Sequence, residues 1–279
     1  MPIFETDDKK VEAKSPNLLS FADCPNGCKN GKIFDMYNHR EKVCEYCAEK
    51  RKKMVYEGLS DVDYGSINKV LNLPPTFRGY TLKADDLFSS ISDLDEYSAE
   101  SVKEAKDEID SLLKNMAIGV QPEYSVAIQL PHFFNDFDFM ATYLIRSYIS
   151  GFETAPILNP SDIVQIRRDY VNDTHKHRLS DTLSFEKLLN IDTVVIYVDN
   201  GVEHTELNAI YGFANLRGTK YKPTILILKK RENMLCKDKF DAIQPDYKVF
   251  KVVALEKRKK VANNNSTVGR TNLSKNIPF

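Results

Sequence analysis

With 279 residues, the chain is long enough for one substantial core and a small accessory module. Its 39 Lys and Arg stand against 40 Asp and Glu, a balance that excludes coating of nucleic acid or membrane by bulk charge and confines any basic surface to local clusters. No apolar run approaches the roughly 18 residues of a membrane-spanning helix, and "MPIFETDDKKVEAK" lacks the apolar stretch of a signal peptide, so the cytoplasm is the expected compartment and no membrane partner is expected.

Residues 1–20 are polar and uncapped and read as a mobile lead-in. A small module over 21–58 follows. Of five cysteines, four fall between Cys24 and Cys47 and Cys236 stands alone, which is poor arithmetic for a disulfide framework. "CPNGC" and "CEYC" place Cys24, Cys28, Cys44 and Cys47 as two close pairs joined by a loop, the spacing at which thiolates meet one zinc ion tetrahedrally. Pro25 and Gly27 favour the tight turn this needs. His39 ranks below them as a ligand, because four cysteines already close a structural site.

Directly after the last cysteine pair, "CAEKRKKMVYEG" reads as a helix ending at Gly58, with Lys50, Arg51, Lys52 and Lys53 in a row. Two readings stand side by side for that run: salt-sensitive contacts to nucleic-acid phosphates, or cations at a solvated helix end. Residues 59–84 read as a linker, because Pro74 and Pro75 in "LNLPPTFRGYTL" forbid regular helix. Residues 85–110 hold ten acids against Lys103 and Lys106, a solvated helical face opened by a capping box of Ser101 with Glu104 and running to about Met116.

From Tyr124, apolar runs alternate with amphipathic stretches. "YSVAIQL", "API", "TVVIYVD", "PTILIL" and "KVFKVVAL" read as strands, with helices at 138–150, 161–171, 181–190 and 204–217 between them. That alternation predicts an α/β domain over 85–255, a parallel sheet with helices on both faces. Residues 256–279 carry six basic residues against one acid and read as a disordered basic tail.

Strand, loop and helix over 124–152 have the layout of a phosphate-binding loop without its chemistry. Such a loop uses glycines so that backbone N–H groups can wrap phosphates, a lysine for their charge and a hydroxyl for magnesium. Leu130 and Asn135 stand at the glycine positions, Asp136 at the lysine and Phe137 at the hydroxyl. A carboxylate about 5 Å from a phosphate repels it by roughly 1–4 kcal/mol, where a lysine attracts it by as much.

The order of these pieces resembles bacterial and phage replicative helicase loaders of the DnaC and DnaI type, and the resemblance covers most of the chain. "LPPTFRGYTL" resembles their linker, and the segment from "FEKLLNIDTVVIYVDN" to "LRGTKYKPTILIL" resembles the stretch from the Walker B strand to the sensor strand of an AAA+ core, here degenerate. Against that family pattern Asp199 is kept, Asn200 replaces the catalytic acid, Leu228 and Lys229 replace the sensor pair, and "CKDKFDAIQPDYKVF" holds no arginine finger. The nucleotide site, with Asp136, Asp199 and Asn200, is then vestigial, and neither ATP binding nor enzymatic activity is expected. No nucleophile and base pair can be assembled around His132 or His204.

The resemblance implies an accessory protein of DNA replication. It would engage the replicative DNA helicase through the zinc module, in an assembly with it, and meet single-stranded DNA through Lys50–Lys53 or through Lys229, Lys230 and Arg231, for which a solvated turn is the alternative. The lysine- and asparagine-rich composition fits a phage or mobile-element source. Two alternatives remain open: a zinc-containing adapter or inhibitor that sequesters a replication protein, and an ATPase with a non-standard phosphate site.

Overall fold

The computed structural model describes residues 24–28, 32–36, 40–50, 64–88, 92–171, 184–198, 202–229 and 249–258. The expected lead-in, the tail beyond Arg258, and the candidate residues Arg51, Lys52, Lys53, Asp199, Asn200, Lys230 and Arg231 lie outside them.

The N-terminal unit is an antiparallel hairpin of β1 (Lys32–Asp35) and β2 (Arg40–Val43), paired from Lys32↔Val43 to Asp35↔Arg40, with helical residues 45–50 after it.

Four parallel strands build the larger unit: β3 (Ser125–Gln129), β4 (Val194–Val198), β5 (Thr224–Leu228) and β6 (Phe250–Ala254), in the order β4-β5-β3-β6. The helices are α1 (Tyr64–Val70), α2 (Ala99–Ala117), α3 (Asp136–Ile149), α4 (Pro160–Val171), α5 (Phe185–Asn190) and α6 (His204–Gly218). Every residue of β3 and β5 is buried, which is why these strands read as unbroken apolar runs rather than as alternations. Side chains still sort by the two-residue period. Val126, Ile128, Ile225, Ile227 and Val253 pack on the α2 and α3 side, while Ala127, Ile196, Leu226 and Leu228 pack with α4, α5 and α6. The result is the expected α/β sheet with helices on both faces.

Three local differences from the sequence reading have physical causes. "API" does not form a strand: residues 154–158 pair with 193–196 as two isolated parallel bridges, Thr154↔Thr193 and Leu158↔Ile196, and not as a ladder. Pro156 has no N–H, so no continuous ladder can pass through it. The cap of α2 is Ser98, whose Oγ accepts from the Ser101 N–H at 3.1 Å; Ser101 lies inside the helix and is buried. The stretch expected as a linker is docked on the core from residue 64 onward. Asn68 Nδ2 donates to the Pro74 and Phe77 carbonyls at 2.9 and 3.0 Å, Thr142 Oγ1 donates to Gly79 O at 2.9 Å, and Arg146 Nη2 donates to Tyr80 O and Leu82 O at 2.6 and 2.7 Å. A Cβ on Gly79 would stand 2.5 Å from the Phe77 ring and 2.8 Å from Leu82 Cδ1, so those side chains would have to shift to admit one. Prolines exclude helix, but they do not exclude packing: Leu71, Leu73, Tyr80 and Leu87 all enter the core.

Candidate functional site

Two places carry chemistry, the cysteine cluster and the loop that leaves the carboxyl end of β3.

The first cysteine pair sits on a turn closed by Gly27 N–H donating to Cys24 O at 3.0 Å, with Gly27 at φ +59°, a conformation that favours glycine. The second pair opens the helix at 45–50, where the Ala48 N–H donates to Cys44 O at 2.8 Å and the helical turn brings Cys47 round beside Cys44. The β1–β2 hairpin folds one pair onto the other. Cys24 Sγ lies 3.6 Å from Cys44 Sγ, Cys28 Sγ lies 3.1 Å from Cys47 Sγ, and all four sulfurs fall within 4.8 Å of one another. Tetrahedral zinc with bonds near 2.3 Å separates its sulfurs by about 3.8 Å, so the donor set fits such an ion. Burial opposes ionisation at Cys44, yet hydrogen bonds from the Cys47 N–H, the Asn26 amide and the neighbouring thiols hold it down at about 6; at Cys47 burial and the adjacent sulfurs both raise the thiol. Four thiolates cannot share this space without a cation to offset their charge. The four cysteines can therefore hold a metal ion.

At the carboxyl end of β3 the strand order turns back on itself, with β5 on one side and β6 on the other, the place where open α/β sheets bind ligands. Here that place is filled by the chain itself. Phe133 and Phe134 are buried; Phe134 packs on Phe88 with ring centroids 5.2 Å apart, and Phe133 packs on Tyr97 at 5.9 Å. Several backbone donors of the loop and of the helix start are already used. Phe134 N–H donates to Pro131 O at 2.9 Å, Asn135 N–H to Leu87 O at 2.8 Å, Asp136 N–H to Phe134 O at 3.1 Å and Phe139 N–H to Asn135 O at 3.1 Å. Asn135 Oδ1 caps α3 by accepting from the Asp138 N–H at 3.2 Å.

Asp136 is half-buried, and its Oδ1 has no hydrogen-bond partner. Burial pushes this carboxyl up to about 7, with the charge of Lys229 pulling the other way. Lys229 is held at the end of β5 by its N–H donating to Val198 O at 3.1 Å, and its ammonium lies 6.0 Å from the Tyr197 ring centroid. His132 is exposed beside Phe133, and His204 Nδ1 lies 3.1 Å from the Asn208 amide within α6, so neither faces a nucleophile.

Lys50 ends the helical residues 45–50 and is exposed. Its neighbours Ala48 and Glu49 line a groove of about 510 Å³ shared with Leu82, Lys114, Ile118 and Arg146. Asp136 opens α3 beside Lys229, and Arg146 lies ten residues further along the same helix, about 15 Å at 1.5 Å per residue. Lys50 and Lys229, the described members of the two basic clusters, thus belong to separate places.

Sequence reading missed Arg217. It is fully buried at the end of α6, and its guanidinium donates to the carbonyls of Leu188, Ile191 (2.8 Å) and Pro223 (3.0 Å) and to Thr224 Oγ1 (3.1 Å). One side chain thereby ties α5, α6 and the start of β5 together. The available signal was an arginine in the last turn of an apolar helix, followed by the loop "GTKYKP".

No protein-family model and no curated protein matches the sequence. Among solved structures, 57% of the chain is similar to each of three proteins. The AMPPCP-bound DnaA of Aquifex aeolicus is 11% identical at a TM-score of 0.38, with 48% of it covered. The DnaC helicase loader is 14% identical at 0.39, with 93% covered. A DNA replication initiation factor is 11% identical at 0.38, with 47% covered. The chain spans about half the length of the first and third of these.

Proposed function

We propose that this chain is a helicase-loading accessory protein of DNA replication that acts by binding, without ATP hydrolysis of its own. One observation carries the second half of that reading. Where a phosphate would need free backbone donors and positive charge, the loop after β3 bonds the N–H groups of Phe134, Asn135 and Asp136 within the chain and places the Asp136 carboxyl, its Oδ1 without a hydrogen-bond partner, at the helix start. Phosphoryl transfer depends almost wholly on preorganised electrostatics, so this loop leaves little with which to catalyse it. The first half rests on the order of parts: a metal-binding cysteine module, a proline-bearing segment, then a parallel α/β core whose ligand crevice is occupied by its own aromatic side chains.

In this reading zinc occupies the cysteine cluster, because four soft thiolates select it and leave no open position for catalysis. The module engages the replicative helicase. Lys50–Lys53 and Lys229–Arg231 are the candidate contacts to single-stranded DNA, the first following the cysteine module and the second following β5 in the core.

Titration of ATP and magnesium into the full chain is expected to give no saturable binding tighter than about 100 μM, equivalent to roughly 5.5 kcal/mol; a tighter constant removes the binding-only reading and revives the non-standard ATPase. Capture of the purified replicative helicase is the second expected result. A helicase-on-DNA loading assay then separates a loader from an inhibitor that captures the same partner and loads nothing.

A further inference from the structure

The two edges of the core sheet are treated differently. Beside β4, residues 153–158 cover the edge through backbone hydrogen bonds: Ala155 N–H to Thr193 O (3.0 Å), Thr193 N–H to Glu153 O (3.0 Å), Leu158 N–H to Val195 O (3.0 Å) and Tyr197 N–H to Leu158 O (2.8 Å). Beside β6 the cover given by the described residues is confined to the stretch past its end, where Ser98 N–H donates to Glu256 O at 2.8 Å and Arg258 N–H to Glu96 O at 3.0 Å. Among the described residues no strand pairs with the outer edge of 251–254. In a parallel ladder alternate residues turn both backbone groups outward, so this edge presents unpaired N–H and C=O groups.

The edge opens into a groove of about 370 Å³ between β6 and α2, lined by Glu104, Asp107, Glu108, Lys251, Val252 and Ala254. Lys251 Nζ is already bound to Glu108 Oε2 at 2.6 Å, and among the described residues no ion pair neutralises Glu104 or Asp107. The wall of the groove is therefore net acidic. On the opposite face of β6, one residue along from Lys251, Val252 is an apolar side chain 41% exposed.

We propose that the outer edge of β6 receives an extended, lysine- or arginine-bearing segment of a partner protein as a fifth strand. Charge selects this occupant. A second copy pairing edge to edge would bring two acidic α2 walls together, and nucleic acid would meet the same carboxylates. An added strand sends alternate side chains to opposite faces. Cationic residues would then face Glu104 and Asp107, and the residues between them would cover Val252. The rival occupant is the chain's own segment after Arg258, which carries Lys259, Lys260, Arg270 and Lys275 and no acid.

The probe is a fluorescein-labelled heptapeptide alternating lysine and valine, titrated into the full chain at low salt, with a glutamate–valine peptide as control. Saturable binding of the lysine peptide alone is expected, with at least tenfold slower amide hydrogen exchange at 251–254. At least a tenfold loss of affinity is expected in the double variant Glu104→Lys/Asp107→Lys, whose side chains are exposed and whose fold is checked by its thermal midpoint. No binding below 1 mM overturns the proposal, as does equal affinity in the double variant. Binding that appears only in a chain ending at Arg258 also overturns it, because the edge then belongs to the chain's own tail.

Discussion

Burial raises the Asp136 carboxyl to about 7, against the opposing charge of Lys229, and this makes the residue a source of pH-dependent instability. A carboxyl whose folded value lies above its unfolded value of about 3.9 favours the folded state in its protonated form. The contribution is fully present below about pH 4 and is lost as pH rises through about 7. Its place in the first turn of α3 gives an anion a helix-dipole gain of about 0.3–1 kcal/mol, smaller than a shift of this size at 1.36 kcal/mol per unit. Asp136→Asn keeps the shape and removes the charge. Between pH 5 and pH 8 the wild type should therefore lose roughly 2–3 kcal/mol relative to the variant, read from urea unfolding at both values. A constant difference, or a wild type that gains on the variant at pH 8, would show that the carboxyl is relieved by groups other than Lys229. Arg217 shows the opposite treatment of a buried charge. Burial lowers its value to about 10, with Asp192 raising it, but its donors meet several carbonyls and it stays a cation.

Whole helices and strands were legible in the sequence where one period dominated, and they became illegible where a single atom decided. The helix expected at 204–217 is α6, and the strand runs "TVVIYVD" and "PTILIL" are β4 and β5. "API" fails as a strand because Pro156 lacks one hydrogen, and the described part of the expected linker, 64–84, is packed on the core because Asn68, Thr142 and Arg146 hold its carbonyls. Thr142 and Arg146 sit on α3, more than 60 residues away, and no local pattern announces them. The cysteine cluster was legible because thiol spacing is itself the geometry. The helix start of α2 separates two local readings. Ser98 Oγ accepts from the Ser101 N–H, while Glu104 makes no such bond. Ser98→Ala should cost about 1 kcal/mol in urea unfolding, and Glu104→Ala should stay within about 0.5. The reverse order would restore the capping box that the sequence suggested.

Across the whole molecule, the cysteine unit and the core draw their stability from different sources. The apolar cluster around the cysteines consists of Cys44 and Cys47 with Cys24, Cys28 and Ile33 packed against them. Burying one isoleucine returns about 1.5–3 kcal/mol, whereas ordering backbone costs about 1–2 kcal/mol per residue. A hairpin and a short helix cannot close that gap alone. Structural zinc, at about 10–16 kcal/mol, can. The core draws on apolar side chains buried on both faces of a four-stranded sheet. Stripping the metal from the full chain with a chelator and a thiol reagent should therefore release one zinc per chain, abolish amide protection over 40–50 and end capture of the helicase. The thermal midpoint of the core should move by less than about 3 °C, the equivalent of roughly 1 kcal/mol in a domain of this size. A fall of 10 °C or more would mean that module and core unfold as one unit, and that lost capture after chelation reports on the core as much as on the module. A midpoint that holds while capture disappears assigns the partner contact to the cysteine unit, because the rest of the molecule is then still folded and no longer binds.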